Sequence, residues 1–328
     1  MHAIVLPNPG PEPDALQYRE IPDPVAGPEE LLVRVRAAAL NRADLMQRRG
    51  GYPQPGPKPE HEILGLEFAG EVISVGAATE GFAPGDRVMG LLAGGGYAEK
   101  VAIHHRLAMH VPASLSWIEA GATPEVYITA HDALVQCGLV AGERVLVHAV
   151  GSGVGVAAIQ VAKVMGASLV IGTAGSDEKL ARAAEIGLDI GVNYRESDFA
   201  AAVATETGGR GVDVILDVVG AEYLERNLKA LAPKGRMTFV GLMGGSVTQV
   251  NLGLLLAKRL QLRGTVLRAR PLEEKAYAVR AFEKSVLPHI ASGRVKVVVD
   301  SVFPLARAAD AHRQLEANAN FGKVVLEC

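Results

Sequence analysis

Cysteine is scarce in this chain of 328 residues, which has only Cys137 and Cys328. Neither belongs to a C-x-x-C pair, so the count excludes a disulfide framework and a four-cysteine zinc site. So few cysteines are typical of a protein from a reducing compartment. The first residues, Met1–Pro7, lack the basic segment and the long apolar core of a signal peptide. We therefore expect a cytoplasmic protein.

An excess of positive charge is also absent, because 33 lysines and arginines face 36 acidic residues for a net charge of −3. Nucleic-acid partners usually require a basic face, so none is expected. The residues 145–162 carry no charge and reach the ~18 residues of a membrane span. Their glycines and the polar His148, Ser152 and Gln160 are more typical of a buried strand, turn and helix. We expect no membrane segment.

A glycine-rich turn follows a short apolar run in the middle of the chain. Val145–Val147 predicts a buried strand, and Gly151, Gly153 and Gly155 alternate soon after it. Glycines allow a tight turn and the close approach of a bulky anion, and the N-terminus of the helix that follows offers N–H groups to a phosphate. Read as Gly153-x-Gly155-x-x-Ala158, the segment fits the dinucleotide fingerprint, although glycines alone also fit a turn in another α/β protein.

The end of the next predicted strand indicates which dinucleotide binds. Ser168–Thr173 predicts this strand, and a site that prefers NAD usually carries an acidic residue after it. Here Ser176 and Lys179 stand there, and the first acidic residue is Asp177. A hydroxyl and a lysine attract the 2′-phosphate that a carboxylate would repel. We therefore predict NADPH, while Ser176 also suits a helix N-cap, and both roles are compatible.

The first part of the chain, up to about residue 124, has short alternating apolar segments separated by Gly/Pro clusters, which predicts a mainly antiparallel β domain. The stretch Asn41–Arg49 interrupts this pattern and is helix-like. The segment Tyr52–Pro59 has a proline at every second position, so it cannot be a central strand. We interpret it as an extended surface loop.

Strands alternate with helices from Glu125 onward, which predicts a doubly wound parallel sheet with ligands at the carboxyl ends of its strands. From Pro271 the segments form no further βαβ unit, so we expect them to complete the first domain. The predicted domains are 1–124 with 269–328, and 125–268, in an α/β fold. The predicted helices and strands include Glu125–Gly138, Glu178–Ile186, Glu222–Leu231, Val212–Asp217, Gly235–Gly241 and Gln261–Val266.

Several stretches together resemble one family, the zinc-free quinone oxidoreductases of the medium-chain dehydrogenase/reductase superfamily, the group that contains ζ-crystallin. Three details are closer to the subgroup of the p53-inducible quinone oxidoreductase. The resemblance covers essentially the whole chain and implies a GroES-like β-rich catalytic domain with a Rossmann domain. The family stretches are Ala39–Gln47, Ile63–Gly70, Phe82–Val88, Gly94–Glu99 and the glycine motif, and the subgroup details are Asn41–Arg48, Gly241–Gly245 and Glu316–Leu326.

The resemblance also bears on metal binding. Zinc-dependent alcohol dehydrogenases of the superfamily carry a cysteine where Asn41 stands and Gly-His-Glu where Gly65–Glu67 stands. The residues of this chain do not suit Zn²⁺, so we expect no metal. Without one, an alkoxide is not readily stabilised and alcohol oxidation is disfavoured. No spacing groups the remaining histidines with an acid or a thiol, and we expect surface or packing roles for His61, His104, His105 and His110.

By resemblance, NADPH reduces a quinone in a cleft that is lined by Asn41, Asp44 and Tyr52. A quinone already attracts electrons, so the reaction depends on the cofactor and on positioning. Asn41 would donate a hydrogen bond to the quinone oxygen, or alternatively it is a helix N-cap. Tyr52 would gate or stack on the acceptor, or alternatively it anchors its own loop.

The resemblance further implies the cofactor contacts and a homodimer in which Val247–Val266 supplies an edge strand. Tyr127 and Thr129 would lie near the nicotinamide, with Gly153 and Val154 at the pyrophosphate. Gly175, Ser176, Lys179 and Tyr194 would hold the 2′-phosphate. Val218, Gly241 and Leu242 would follow the ribose and nicotinamide, and Thr265, Val266, Leu267 and Asn318 would close the far side.

Two other functions remain open. A zinc-free enone or 2-alkenal reductase uses the same fold and cofactor, and activity with an enone panel distinguishes it from a quinone reductase. A protein that binds NADPH in a mainly structural or RNA-binding role is the other alternative. The missing basic surface argues against RNA, and a strongly salt-dependent RNA shift would support it.

Overall fold

The computed structural model describes residues 1–52, 54–57 and 59–328. Pro53 and Lys58 of the predicted proline-rich loop therefore lie outside the described residues. In chain order the strands are β1 (His2–Val5), β2 (Gln17–Glu20), β3 (Glu30–Ala39), β4 (Glu67–Val75), β5 (Arg87–Leu91), β6 (Lys100–His104), β7 (Ala108–His110), β8 (Arg144–Val147), β9 (Leu169–Ala174), β10 (Ile190–Asn193), β11 (Val212–Asp217), β12 (Leu231–Phe239), β13 (Gln261–Gly264), β14 (Val299–Pro304) and β15 (Lys323–Glu327).

The α-helices, in the same order, are α1 (Arg42–Arg48), α2 (Trp117–Gly121), α3 (Pro124–Gln136), α4 (Gly153–Val164), α5 (Asp177–Ala184), α6 (Phe199–Glu206), α7 (Leu224–Ala230), α8 (Leu252–Lys258), α9 (Leu272–Ser285), α10 (Leu287–Ala291) and α11 (Ala308–Glu316). Over the described residues the chain divides into two compact units. Unit 1 comprises Met1–Ile128 and Leu267–Cys328, and unit 2 comprises Thr129–Val266.

The larger sheet of unit 1 has the strand order β14-β15-β3-β4-β5-β7, with β6 also paired to β3, while β1 and β2 form a separate two-stranded sheet. Pairing is antiparallel except between β14 and β15. The C-terminal strand β15 lies against β3, with Val325 opposite Ala39, and Leu40 N–H donates to Val324 O at 2.9 Å. This register brings the start of β15 beside the residues that lead into α1.

The sheet of unit 2 is parallel throughout, in the order β10-β9-β8-β11-β12-β13. Leu146, Ile171, Ile215 and Met237 on its strands are completely buried, as expected for a parallel sheet covered on both faces. Strand order reverses between β8 and β11, and ligands of open parallel sheets bind outside the carboxyl ends at such a point. The glycine motif directly follows β8.

Several predicted boundaries differ from the structure. The predicted strand Gly235–Gly241 corresponds to β12, which begins earlier, at Leu231 directly after α7, and ends at Phe239. The predicted strand Gln261–Val266 ends at Gly264, and the predicted helix Asn41–Arg49 is shorter at both ends. Helices α6 and α8 were not predicted, and α8 (LGLLLAK) has no polar face from which a helical period is recognisable.

Membrane-spanning helices are absent from residues 1–52, 54–57 and 59–328, since none of their helices combines the length and the hydropathy that a bilayer requires. The uncharged stretch that could be mistaken for one divides into β8, a turn and the 12-residue helix α4.

Candidate active site

The N-terminus of α1 is fixed by Asp44, one of the predicted catalytic residues. The Asp44 carboxylate accepts hydrogen bonds from Asn41 N–H at 2.7 Å, from the Tyr97 hydroxyl at 3.0 Å and from Gly65 N–H at 3.2 Å. Its side chain is completely buried, and burial raises the pKa of Asp44 to about 6. Asp44 therefore offers no surface to an acceptor, and its contacts position α1 and Gly65.

Asn41 belongs to a buried network around the ammonium group of Lys323. Lys323 Nζ lies 2.7 Å from Glu67 Oε1 and 2.7 Å from Asn41 Oδ1, and it donates to Leu40 O at 2.6 Å. The side chains of Lys323 and Glu67 are 4% and 0% exposed. Burying both charges is tolerated because each is paired and hydrogen-bonded.

The amide hydrogens of Asn41 are directed into the same network. Asn41 Nδ2 donates to Glu67 Oε1 at 2.9 Å and approaches Ala39 O at 3.4 Å. Asn41 also precedes the first residue of α1, so the N-cap alternative describes its backbone position. The predicted hydrogen bond from Asn41 to a quinone oxygen would have to replace one of these two contacts.

Glu125, at the second position of α3, is the next member of this cluster. Its backbone N–H donates to Glu67 Oε2 at 2.8 Å, whereas its partly buried carboxyl group hydrogen-bonds to no described residue. Burial, together with the nearby charge of Glu67, raises the pKa of Glu125 to about 8. The carboxyl group thus keeps its proton at neutral pH.

Tyr52, the third predicted catalytic residue, is held by Arg268. The guanidinium group lies 5.0 Å from the centre of the Tyr52 ring, and its Nη1 donates to Tyr52 O at 3.0 Å. Further bonds of 2.7 Å join Arg268 to Ala93 O and to Gln47 Oε1. Burial, followed by the charge of Glu125, raises the pKa of the Tyr52 hydroxyl. The contacts agree with the anchoring alternative for Tyr52.

Sequence reasoning missed Glu125, Arg268 and Lys323 as members of this site. Lys323 carried a usable signal, because it stands directly before the apolar run Val324–Leu326, where a buried strand would otherwise start with an uncompensated charge. Glu125 and Arg268 gave no comparable signal, since each lies at the end of a segment where exposed charges are common.

In unit 2 the glycine turn forms the N-terminus of α4. Ser152 is the N-cap, and its hydroxyl accepts from Gly155 N–H at 3.0 Å. A Cβ atom on Gly155 would lie only 2.3 Å from Ala149 O, so the helix can approach the turn only with glycine there. The N–H groups of Gly153 and Val154 lie in the first turn, where a helix has no internal acceptors for them. This turn fits a pyrophosphate.

The four residues predicted at the 2′-phosphate come together at the end of β9. A Cβ atom on Gly175 would lie 2.7 Å from Tyr194 Oη and 3.2 Å from Arg195 Nε. Ser176 is the N-cap of α5, and its hydroxyl accepts from Lys179 N–H at 3.4 Å. The set therefore includes the cation Arg195, which was not among the residues predicted at the 2′-phosphate.

Asp177, the acidic residue that directly follows Ser176, is held by an asparagine. Asn193 Nδ2 donates to Asp177 Oδ1 at 3.0 Å and to Glu196 Oε1 at 3.0 Å. A carboxylate occupied in this way competes less for the hydroxyl groups of a ribose, which is compatible with a phosphorylated one.

A buried polar chain ties together the carboxyl ends of β8, β9 and β11. His148 lies 2.9 Å from Thr173 Oγ1 and 2.7 Å from Asn227 Oδ1, and Asn227 Nδ2 donates to Asp217 Oδ2 at 2.9 Å. Asp217 also accepts from the backbone of Val219 at 2.6 Å. Burial lowers the pKa of His148 to about 4, so the ring is neutral and rigidly oriented.

Most of the remaining predicted cofactor contacts lie in unit 2. Val218, Gly241 and Leu242 lie together, because the N–H of Met243, the next residue, donates to Val218 O. The side chain of Leu242 is half exposed. Thr265 follows β13, and its hydroxyl accepts from Gln136 at 3.0 Å. Thr129, which is buried, and Val266, which is exposed, are the other members in unit 2, while Leu267 is buried in unit 1.

Tyr127 and Asn318, both in unit 1, have roles of their own. Tyr127 is 1% exposed, and its hydroxyl donates to Lys296 O at 2.7 Å, so the ring packs the core and leaves almost no surface for a nicotinamide. Asn318 has a left-handed backbone, its side-chain oxygen accepts from Arg42, and its Nδ2 donates to Glu316 O at 3.1 Å.

Two of the four histidines come together with an acid in the fold, although their spacing in the sequence did not indicate it. Within the described residues, Glu29, His104 and His105 have potential ligand atoms within 4.8 Å of one another. However, Nδ1 of His104 accepts from Arg106 N–H at 3.2 Å, and Nδ1 of His105 accepts from Glu80 N–H at 3.4 Å. Neutral rings bonded in this way carry their proton on Nε2, where a metal would have to bind.

Comparisons with known proteins agree with this architecture. Residues 27–113 match the family of alcohol dehydrogenase GroES-like domains, and residues 153–284 match the zinc-binding dehydrogenase family. The quinone oxidoreductase of Pseudomonas aeruginosa is 34% identical over 322 residues, which is 96% of each chain. Quinone oxidoreductase-like protein 2 of Bos taurus is 33% identical over 310 residues, 93% of this chain and 86% of the relative. The solved structure of Escherichia coli quinone oxidoreductase complexed with NADPH has a TM-score of 0.89 at 32% identity, covering 100% of both chains.

The chain is a quinone oxidoreductase-like member of the medium-chain dehydrogenase/reductase superfamily. The family resemblance and the predicted fold class, a GroES-like domain with a Rossmann domain, are thereby confirmed. The chain is therefore an oxidoreductase of this superfamily.

Membership in this superfamily allows the network around Lys323 to be compared with the zinc-ligand positions of other members. In zinc-dependent members of the superfamily, a cysteine stands at the position of Asn41 and a histidine at that of Leu66. Here the ammonium group of Lys323 bonds to Asn41 and to Glu67, so a fixed cation of the protein lies among these positions.

Proposed function

We propose that this protein is a metal-independent NADPH:quinone oxidoreductase that transfers hydride or electrons to small quinones. The observation that carries the proposal is the buried bonding of Lys323 to Asn41 and Glu67. The Lys323 ammonium group has three partners, namely Glu67, Asn41 and Leu40 O. Its positive charge balances the carboxylate of Glu67, as a metal ion would otherwise do. The ammonium group has no open coordination position, so it cannot activate an alcohol as zinc does.

NADPH fits the residues of unit 2, and when bound it supplies a hydride. Gly153 and Val154 would hold its pyrophosphate through backbone N–H groups. Ser176, Lys179, Tyr194 and Arg195 would hold its 2′-phosphate, because the two cations and two hydroxyl groups form charge-assisted hydrogen bonds to it. The buried chain through His148 keeps the carboxyl ends of the central strands rigid under the bound cofactor.

The acceptor would bind at the cluster of unit 1 that contains Tyr52 and Glu125. Tyr52 is partly buried and fixed by Arg268, so its ring offers a preformed face on which a flat quinone can stack. Asp44 and Lys323 hold Asn41 and the start of α1 in place within the same unit. Because the supporting contacts are buried, the site needs little reorganisation when the acceptor binds.

The test measures oxidation of NADPH and of NADH with 1,2-naphthoquinone, 1,4-benzoquinone and crotonaldehyde after treatment with EDTA. We expect quinone turnover that prefers NADPH and survives EDTA. Turnover of crotonaldehyde alone would assign the protein to the enone reductases. Loss of quinone turnover in EDTA that zinc restores would contradict metal independence, and NADPH binding without any turnover would favour a non-catalytic role.

We also propose a homodimer formed through Val247–Val266. Strand β13 is at the edge of its sheet and largely exposed, and Leu252 and Leu256 of α8 are 66% and 79% exposed. An exposed strand edge beside apolar side chains is a surface that proteins usually cover. Light scattering should give twice the mass of the chain, and Leu256→Glu should give the monomer mass. A wild-type monomer at micromolar concentration would contradict the proposal.

A further inference from the structure

The backbone of Glu125 is fixed at the start of α3, while its carboxyl group remains unbonded. Its N–H donates to Glu67 Oε2 at 2.8 Å, which pins the first turn of the helix to a completely buried carboxylate. The side-chain carboxyl group of Glu125, in contrast, hydrogen-bonds to no group in residues 1–52, 54–57 and 59–328, and it retains some solvent exposure. A partly buried carboxyl group without donors is poorly stabilised as an anion.

The charges around Glu125 leave it as the protonated member of the cluster. Lys323 is bonded directly to Glu67, so that pair is neutralised internally. The groups whose charges act on Glu125 are Glu67 and Asp44, which favour its neutral form, and Lys323 and Arg268, which favour its ionised form. Burial is the largest influence and raises the pKa of Glu125 to about 8, although its place in the first turn of α3 favours the anion somewhat.

Other side chains of the cluster are less suited to give up a proton. The amide hydrogens of Asn41 are directed at Glu67 and Ala39, and amides do not act as acids near neutral pH. Burial raises the pKa of the Tyr52 hydroxyl further above its usual value, so it holds its proton more firmly. Asp44 is completely buried under three hydrogen bonds.

We propose that Glu125 is the proton donor of the reaction, a catalytic residue whose carboxyl group protonates the reduced acceptor. This inference rests on the proposed function. Conversion of a quinone to a hydroquinone requires two electrons and two protons, and one hydride accounts for both electrons and one hydrogen. The Glu125 O–H bond breaks as a new O–H bond forms on the quinone oxygen. The carboxylate that remains takes a proton from solvent, the nicotinamide is oxidised and the quinone is reduced.

For an enone acceptor the same balance holds with different atoms. Hydride adds to the β-carbon, and the proton from Glu125 forms the new C–H bond at the α-carbon. In either case the acid must be protonated at the start of the step, so the rate should fall as pH rises through the range in which Glu125 ionises.

The kinetic test compares wild type with E125Q and E125D, using kcat and KM for 1,2-naphthoquinone between pH 6 and pH 10. We expect wild-type kcat/KM to fall above about pH 8. E125Q should lose about 10²-fold in kcat with little change in KM, and it should lose this break in the profile. E125D keeps an acid and should retain the break at a reduced rate. The matched control is E274Q, because Glu274 is an exposed carboxylate of unit 1.

A second readout requires neither cofactor nor turnover. The infrared difference spectrum of wild type minus E125Q should contain the carbonyl band of a protonated carboxyl group at pH 7, and the band should lose its intensity as pH rises through about 8. Absence of that band at pH 7 would overturn the proposal. Circular dichroism and NADPH fluorescence titration establish that each variant is folded. If E125Q does not fold, E125D replaces it in the comparison.

The outcomes separate this inference from the function on which it rests. Quinone turnover by wild type with an unchanged rate and pH profile in E125Q overturns the role of Glu125 and keeps the proposed function. Turnover of crotonaldehyde only, with the Glu125-dependent pH break, overturns quinone reduction and keeps Glu125 as the proton donor. No turnover of any acceptor by folded wild type overturns both.

Discussion

The candidate sites of the two units are built from different kinds of groups. Unit 1 collects charged side chains from distant parts of the chain, with Glu67 and Lys323 separated by about 250 residues yet bonded at 2.7 Å. In unit 2 the candidate site combines backbone N–H groups at Gly153 and Val154 with a group at the end of β9 that contains Ser176, Lys179 and Arg195. The first site depends on complete pairing of buried charges, whereas the second depends on small residues and helix ends.

The comparison shows why the two sites should fail differently. Removing one buried charge leaves its partner uncompensated, so damage to the cluster of unit 1 should appear first as lost stability. Adding atoms to the turn of unit 2 should appear first as lost cofactor binding. The predictions that follow test this distinction in order of decreasing effect.

The largest effect is expected for Lys323→Met. It leaves the buried carboxylate of Glu67 without its cation, which should cost about 3–5 kcal/mol of unfolding free energy. Chemical denaturation measures the loss, and Lys284→Met, at an exposed site of unit 1, is the control. The double variant E67Q/K323M should recover part of the loss, because both charges are then absent. A single variant as stable as wild type would contradict the ion-pair interpretation.

Gly155→Ala should act mainly on cofactor binding. The Cβ atom of the alanine would lie 2.3 Å from Ala149 O. The oxygen is a backbone atom and the Cβ is attached directly to the backbone, so the turn must move. Overpacking of this kind costs about 1–3 kcal/mol, and displacement of the N–H groups should weaken NADPH binding by at least about tenfold. Isothermal titration measures the affinity. Gly27→Ala, which would meet only the flexible end of Glu30 at 3.3 Å, should retain it.

Lys179→Ala and Arg195→Ala should each weaken NADPH binding by about tenfold and leave NADH binding unchanged. The reason is that a lost charge-assisted hydrogen bond to an exposed phosphate corresponds to about 1.4 kcal/mol. Fluorescence titration with both cofactors gives the ratio of affinities. Lys229→Ala is the control, since Lys229 pairs with Glu225 on α7. Equal weakening of NADPH and NADH binding would refute the assignment of the 2′-phosphate site.

The last prediction concerns the pH dependence of stability, where the partial solvent exposure of Glu125 reduces the effect. The pKa of Glu125 is raised from 4.5 to about 8 in the folded protein, so the folded state binds more protons than the unfolded state between these values. Stability therefore declines as pH rises from about 4.5 to about 8. E125Q should reduce this decline and raise the melting temperature at pH 8.5 by a few degrees, with little change at pH 4. Identical pH profiles of the melting temperature would show that Glu125 is not buried as a neutral acid.

Much of unit 2 was predictable because its signals are local. The strand, turn and helix around Gly153 occupy one short segment, and Gly175, Ser176 and Lys179 occupy another, so local spacing predicted which of these residues lie together. Helix α8 escaped prediction because it has no polar face to reveal a helical period: Leu254 and Leu255 pack against the core, whereas Leu252 and Leu256 are exposed. The chain through His148 escaped because it joins three strands whose order is a property of the sheet.

In unit 1 the family resemblance predicted Asn41, Asp44 and Tyr52 as site residues, but the sequence did not indicate which side chains hold them. The bond between Asn41 and Lys323 exists because β15 pairs with β3, and the hold on Tyr52 exists because Arg268 reaches Gln47 and Ala93. Those partners are remote in sequence, and the hydrophobic periodicity of the sequence does not predict that they are in contact.

The sequence by itself determined the class of fold, the glycine turn of the dinucleotide motif and the prediction of NADPH as cofactor. These features depend on backbone geometry and charge within a few neighbouring residues. Only the tertiary structure decided which acids and bases share one low-dielectric environment. That environment fixes Lys323 on Glu67 and leaves a proton on Glu125, since the ionisation of a buried group depends on all the charges and hydrogen-bond donors around it, wherever they stand in the chain.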